Sequence, residues 1–202
     1  MFETISFVAV NEEELVRSND PAISRSRLLE AALPHQSDRD QILDLLTIHG
    51  AALADRSTLP GHLTGSALVV DAAGERALLM LHAKLGRWLQ PGGHADGDHD
   101  LARVALREAT EETGIEGLSV LLPAIDVDIH RIPERGPEPS HLHLDLRFVV
   151  IAPPDAQPRG NSESEALRWV PWQELDEISD EESLTRLAHR GSEAYRRFLV
   201  QG

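Results

Sequence analysis

"PGGHADGDHDLARVALREATEETGI", Pro91 to Ile115, decides how this chain is read. A glycine turn comes first, then an acidic run interrupted by His99, then a segment closing on Arg107-Glu108-Ala109-Thr110-Glu111-Glu112-Thr113-Gly114. Asp100 can cap a helix running to Thr113, with Gly114 at the C′ position where helices stop. On that helix Glu108 lies three residues from Glu111 and four from Glu112, so side chains that repel one another converge. Leu101, Val104 and Ala105 supply an apolar stripe for a sheet, and Arg103 and Arg107 share a neighbouring face. Glycine at 92 and 93 lets backbone carbonyls approach a ligand closely. Converging carboxylates with a carbonyl nearby form a hard oxygen site that suits Mg²⁺ or Mn²⁺. On spacing alone, a solvated charged face is an equally open reading.

The bulk composition narrows the setting. The 202 residues suffice for one domain with its own core, or for a domain plus a short appendage. A net charge of -15 repels nucleic acid and anionic membranes, so a phosphate-bearing partner needs a local cation. There is no cysteine, which excludes disulfides, thiolate metal sites and cysteine nucleophiles. No apolar run reaches membrane-spanning length, and "MFETISFVAVNEEE" lacks a signal-like start. The expectation is a cytoplasmic, acidic protein with no nucleic-acid or membrane partner.

The chain shows no internal repeat. Phe2, Ile5, Phe7 and Val8 suggest a strand and Glu12–Leu33 a loose helix. "SDRD" at Ser37–Asp40 has the form of a capping box, followed by Ile42, Leu45, Leu46 and Leu53 at helical spacing. "GSALVVD", "AAGE" and "RALLML" read as strand, turn and return strand. "AIDVDIH" and "HLHLDLRFVV" alternate around a loop holding Pro133, Pro137 and Pro139, and "EALRWV" is a strand stopped by Pro171. Ser179–Glu182 is shaped like another capping box. Leu184, Leu187, Ala188, Tyr195, Phe198 and Leu199 then give a terminal helix one apolar face. The order predicts an α+β or layered α/β/α domain.

The residues of the opening stretch resemble the signature box of the Nudix hydrolases: glycine, five residues, glutamate, seven residues, then R-E-apolar-x-E-E-x-G-apolar. Gly93, Arg107, Glu108, Glu111, Glu112, Gly114 and Ile115 match, with Ala109 at the first apolar place. The departure is His99, where the family has glutamate. "GSALVVD", "RALLML", "GRWLQPGG" and "RWVPWQEL" also look like family elements, so the likeness covers roughly 61–199. It divides the chain into an N-terminal segment, 1–60, partly helical and packed on or preceding the core, and a Nudix domain, 61–202. It implies an α/β/α sandwich with a mixed sheet and a hydrolase that cleaves a phosphoanhydride in a small-molecule diphosphate. Activation of water by a divalent cation would drive that cleavage. By that resemblance Glu111 and Glu112 hold the metal, Glu108 is a further ligand or water-orienting base, and the Gly93 carbonyl completes the shell. Arg107 would orient the glutamates. Asp98 or Asp100 can take over the bracing that the family's glutamate gives, with His99 turned to solvent.

The ten histidines form a second pattern. Asp126, Asp128 and His130 share one face of their strand, and His141, His143, Asp145 and Arg147 one face of the next. Paired as a hairpin, the two polar faces lie side by side, either as a solvated outer surface or as the floor of a substrate groove. In the second case His and Arg contact phosphate. A sharper version is a second, transition-metal site using His94 with His141 or His143 and with His62. The related isopentenyl diphosphate isomerases place a metal-binding histidine after their equivalent glycine, but that chemistry relies on a cysteine this chain lacks. Lys84 and Arg87 flank the approach to Pro91 and can bind phosphate. Glu163 or Glu165 can supply an extra glutamate from a late loop, and Trp88, Trp169 and Trp172 read as packing residues. Aromatic content of 4% leaves few ways to clamp a nucleobase. The alternatives to hydrolysis are a sensor binding a nucleotide-like ligand, against which the intact glutamate set argues, and an isomerase-like metalloenzyme. A homodimer is the default assembly.

Overall fold

The computed structural model describes residues 5–31, 36–179 and 181–201. In chain order these form β1 (Val8–Asn11), α1 (Pro21–Glu30), α2 (Gln36–His49), β2 (Gly61–Val70), β3 (Arg76–His82), β4 (Arg87–Leu89) and β5 (Gly92–His94). Then come α3 (Leu101–Thr113), β6 (Ser119–Leu122), β7 (Asp126–Ile132), β8 (His141–Ile151), β9 (Ser164–Pro171), α4 (Leu175–Ile178) and α5 (Glu182–Gln201). All strands join one mixed sheet with the path β1-β6-β8-β2-β3-β4, while β5 pairs with β2, β7 with β8 and β9 with β3. The architecture is an α/β/α sandwich.

Alternation along the strands explains the two cores. Leu63, Ala67 and Val69 of β2 and Leu144, Leu146, Phe148 and Val150 of β8 point to one face, where Leu101, Val104 and Ala105 of α3 cover them. Leu68, Val70 and Val149 point to the other, where Leu184, Leu187, Ala188 and Tyr195 of α5 cover them. The segment before Gly61 shares the first core: Leu28, Ile42, Leu46 and Leu53 are buried in the α3 cluster. Each such side chain contributes about 1.5–3 kcal/mol.

Several local expectations change. Phe2 and Leu33 lie outside the described residues. The first strand begins at Val8 and pairs with β6. The loose helix resolves into a 3₁₀ turn at Glu12–Glu14 and α1, which starts at Pro21 because Asp20 accepts from the Ala22 N–H at 2.9 Å. Ser37 is not a cap; α2 already begins at Gln36. Leu53 belongs to a 3₁₀ turn after α2, and Leu199 is exposed.

The pairing of β2 positions the site. It runs parallel to β8 throughout, from Gly61 opposite Leu142 to Val70 opposite Ile151. On its other edge it meets β3 only at Val69 and Val70 and then meets β5 at Thr64–Ser66. The sheet therefore divides beside β2, and residues from both parts line one cleft of about 790 Å³.

The polar faces of β7 and β8 are not solvated. Asp126 lies opposite Arg147, Asp128 opposite Asp145 and His130 opposite His143. The buried Arg147 guanidinium reaches Asp145 at 2.8 Å, Asp128 at 2.9 Å and Asp126 at 3.3 Å, and donates to the Ser183 hydroxyl of α5 at 2.7 Å. Arg186 of α5 binds Asp128 at 2.7 Å, and Arg190 binds Asp126. Three carboxylates thus meet three guanidiniums, which is the condition under which buried charge is tolerated.

Burial pushes the Asp128 carboxyl up, but His130, Arg147 and Arg186 outweigh it and hold the group well below its ordinary 3.8. A depressed folded-state pKa contributes stability that is present above the unfolded value and lost as pH falls through the folded one. Wild-type melting temperature should therefore drop below about pH 4, and Asp128→Asn should be less stable at neutral pH yet flatter in that acid limb. Parallel limbs in a calorimetric pH series would contradict this reading.

Candidate active site

α3 carries the carboxylates into the cleft. Its buried Leu101, Val104 and Ala105 fix its rotation, and Gly114 ends it at φ 63°, in the left-handed region. Glu108, Glu111 and Glu112 all line the cleft. Glu112 is buried, Glu108 nearly so, and Glu111 is exposed at the rim. β5 closes over them: the Gly92 N–H donates to Glu112 Oε2 at 3.0 Å. A Cβ at Gly93 would lie 2.5–2.6 Å from the Glu108 carboxyl atoms, so only glycine lets the strand approach so closely. Arg107 contacts Glu108 Oε1 at 2.7 Å and Glu111 Oε2 at 3.5 Å, and donates to the His94 carbonyl at 3.0 Å.

Burial dominates the electrostatics of the cluster. Burial raises the Glu108 carboxyl, with Arg107 opposing and Glu111 and Glu163 adding to the shift. Burial likewise raises Glu112 to about 8; the Gly92 N–H opposes this, and Glu108, Glu163 and Glu111 reinforce it. Carboxylates so disfavoured, all offering hard oxygen donors beside a backbone strand, fit a Mg²⁺ or Mn²⁺ ion.

His99 is not turned to solvent. It is fully buried, with Nδ1 2.8 Å from the Ser24 hydroxyl of α1 and Nε2 3.1 Å from the Ala51 carbonyl. A carbonyl can only accept, so Nε2 carries a proton toward Ala51, while the one hydrogen of the Ser24 hydroxyl is donated to the His99 carbonyl. The hydroxyl also lies 2.8 Å from the His99 carbonyl. The His99 N–H donates to the Ser18 carbonyl at 2.6 Å. Where the signature has glutamate, this chain therefore docks its N-terminal segment. Bracing passes to the neighbours: Asp98 binds Arg103 at 2.7 Å and accepts from the Ser18 N–H, while Asp100 binds Arg27 of α1 at 3.1 Å. Neither carboxylate reaches Arg107 among the bonds of the described residues.

The other expected residues divide. Lys84, Arg87, His94, His143 and Glu163 line the cleft; Glu165 does not. Arg87 is paired with Glu181 at 2.7 Å. Arg147 also lines the cleft, its guanidinium held by three carboxylates and the Ser183 hydroxyl. Trp88 and Trp172 pack on the α5 core and Trp169 on the α3 core. His62 and His141 are buried beside the cleft wall. Burial, then His94 and His141, lower His62 to about 4, the Thr58 carbonyl acting weakly the other way without hydrogen-bonding geometry. Burial, then His130 and His94, lower His143 to about 2, and burial, then Arg56, lower His94. All three are neutral imidazoles at pH 7. Sequence reading missed Arg56 and Asp96, a pair at 2.5 Å on the cleft, and Thr64 and Ser66, which hydrogen-bond Asp145 at 2.9 and 2.8 Å. The Asp-Gly turn at 96–97 was their one visible signal; Arg56 sits in no pattern.

A carboxylate helix faces a glycine strand at the wall of the cleft, and its oxygen donors suit a hard cation. The chain matches the family model for the NUDIX domain over residues 62–198. The fold is shared with a Nudix hydrolase from M. smegmatis, RenU, at 20% identity over 67% of this chain and 86% of that one, TM-score 0.50. It is shared with a C. elegans Ap4A hydrolase at 19% identity, 69% and 98% coverage and TM-score 0.51. It is shared too with the E. coli dihydroneopterin triphosphate pyrophosphohydrolase at 16% identity, 69% and 96% coverage and TM-score 0.50. The chain belongs to the Nudix family, as a hydrolase acting on pyrophosphate bonds.

Restoring the family's glutamate at 99 should harm this protein. A carboxylate there would be buried against the Ala51 carbonyl, acceptor against acceptor, at a cost of about 3–5 kcal/mol. His99→Gln keeps an N–H donor and should lose about 1–2 kcal/mol. Urea unfolding of both variants checks the ranking, and equal stability of His99→Glu and wild type would refute the docking role.

Proposed function

We propose that the protein hydrolyses a phosphoanhydride in a small-molecule diphosphate, with Mg²⁺ or Mn²⁺ held by Glu108, Glu111, Glu112 and the Gly93 carbonyl. The observation that carries this is the strained carboxylate cluster: Glu112 raised to about 8 and Glu108 raised beside it, both against β5. A bound divalent cation supplies the charge that makes these groups stable carboxylates and eases negative charge developing on phosphate oxygens. Glu108 would serve as a further ligand or as the base that orients the attacking water and accepts its proton, a role supported by Arg107, which contacts the carboxylate at 2.7 Å. Gly92 and Gly93 leave room for the substrate to lie against the strand. Glu163 adds a further carboxylate at the rim, and Lys84 supplies positive charge at the mouth of the cleft.

The group X attached to the diphosphate is read from the same lining. Among the described residues lining the cleft there is no Phe, Tyr or Trp; beside His, Asp, Arg, Thr and Ser stand the apolar Met80, Leu85, Leu89, Ile132 and Leu184. A nucleobase would find no Phe, Tyr or Trp ring to stack on, which favours a sugar or a further phosphate as X over a base held by stacking. The substrates named for the C. elegans and E. coli neighbours do not transfer, because likeness at 19% and 16% identity carries the fold alone.

Phosphate release from nucleoside diphosphate sugars, dinucleoside polyphosphates and non-nucleotide pyrophosphates, with Mg²⁺ and with chelator, tests the reading. Turnover should require the cation and fall on the order of 10²–10⁴-fold in Glu112→Gln and Glu111→Gln. Binding without turnover across the panel would indicate a sensor, and wild-type rates in both variants would remove the metal assignment.

A further inference from the structure

We propose that His62, His94 and His143 form a second cation site on the wall of the cleft, selective for Zn²⁺ or a similar transition metal over Mg²⁺. Strand register brings the three together. His62 of β2 lies directly opposite His143 of β8, and His94 of β5 pairs with Thr64, the next residue of β2 on the same face. Their ring centroids are 5.0 Å (His62–His94), 5.1 Å (His62–His143) and 5.1 Å (His94–His143) apart, a nearly equilateral triangle. One ligand nitrogen from each falls within 4.8 Å of the others. Tetrahedral zinc with Zn–N bonds of about 2.1 Å sets its nitrogens about 3.4 Å apart. Side-chain rotation of little more than an ångström therefore closes the site.

The decisive feature is His62. It is 1% exposed, and among the described residues neither ring nitrogen has a hydrogen-bond partner. A neutral imidazole must carry one N–H and one lone pair, so burying both unmatched is costly, and a native structure rarely does this without an ion or water to meet them. A metal meets the lone pair. Packing alone would be better served by leucine, which fills such positions elsewhere on β2.

The surroundings match a metal centre in kind. His141 donates from Nδ1 to the Pro139 carbonyl at 2.9 Å, which leaves a buried lone pair at Nε2 with no hydrogen-bond partner among the described residues, beside His62 (ring to ring 4.8 Å) and 3.9 Å from Glu138 Oε1. His130 donates from Nδ1 to Asp128 at 3.0 Å and lies edge-on to His143 at 5.2 Å. Orientation of imidazoles by carbonyl and carboxylate acceptors is how metal-binding histidines are held. The three ligands are nitrogens without a carboxylate, a donor set that imidazole-preferring Zn²⁺, Fe²⁺ or Ni²⁺ take and Mg²⁺ does not. His94 and His143 line the cleft while His62 lies behind them, so the remaining coordination position opens into the cleft. His94 adjoins Gly93, which touches Glu108, so an oxygen anion of the substrate can reach that position. This last step rests on the reading of the cleft as a diphosphate site; the metal site does not.

Metal content of untagged protein, purified without chelator, gives the first reading. Chelator-stripped protein is then titrated with Co²⁺ and followed by its visible d–d absorption. One equivalent of transition metal should be retained in the presence of excess Mg²⁺, with saturation at one Co²⁺ per chain. His94→Gln and His143→Gln, both at the partly exposed cleft wall, should lose the metal and the absorption while remaining folded by circular dichroism. Glu112→Gln should keep both even as hydrolysis fails, which separates this site from the carboxylate one. Stoichiometric metal that survives both histidine variants, or disappears in Glu112→Gln, would overturn the proposal, as would the absence of saturable Co²⁺ uptake by the stripped wild-type chain.

Discussion

Everything in the site follows from forcing carboxylates together where water cannot screen them. Glu108 and Glu112 project from successive turns of α3 into a lining that removes most of their hydration. At about 1.4 kcal/mol per pK unit, keeping Glu112 ionised there costs several kcal/mol. That cost must be met by a frame that cannot relax. Leu101, Val104 and Ala105 are fully buried against the sheet, and Gly114 closes the helix in the left-handed conformation. Arg107 ties Glu108 and Glu111 to the His94 carbonyl of β5. The helix cannot turn its acids outward without exposing that core.

β2 organises the rest. Its long parallel register with β8 sets His62 against His143, Thr64 against Asp145 and Ser66 against Arg147 on one face. Along that face the chemistry changes from neutral imidazole, through hydroxyl and carboxylate, to a balanced set of charges. α5 covers the charged end through Ser183, Arg186 and Arg190. The imidazole end stays open through His94 and His143. One strand pair thus carries both a charged half that anchors a helix and an imidazole half, and residues of both line the cleft.

Legibility in the sequence tracks the distance over which an interaction acts. The period of α3, its Gly114 stop, the β2–β3 hairpin and the alternation of β7 and β8 are local, and each is visible in residues a few places apart. His99 is different: its partners Ser24 and Ala51 lie 75 and 48 residues away, so its spacing suggests a substituted signature and hides a docking role. Arg147 likewise reads as a phosphate ligand on its strand, because Ser183, 36 residues on, and three aspartates claim it only once the fold forms. Ser37 failed for a simpler reason. α2 already includes Gln36, so Ser37 lies inside the helix, and its hydroxyl donates to Asp38.

The charge of the whole chain bears on the cleft itself. A protein with net charge -15 must hold an anion where its own cations are already engaged. Arg107 faces Glu108, Arg87 faces Glu181, Arg56 faces Asp96 and Arg147 faces Asp145. Each pair contributes little net field at the distance of a bound phosphate; the cleft adds Glu111, which shares Arg107 with Glu108, and also Glu112 and Glu163. Lys84 and Arg131 at the mouth do not balance that sum. On the proposed reading, a divalent cation at the carboxylate cluster would offset that sum, so cation binding would favour substrate binding as well as catalysis.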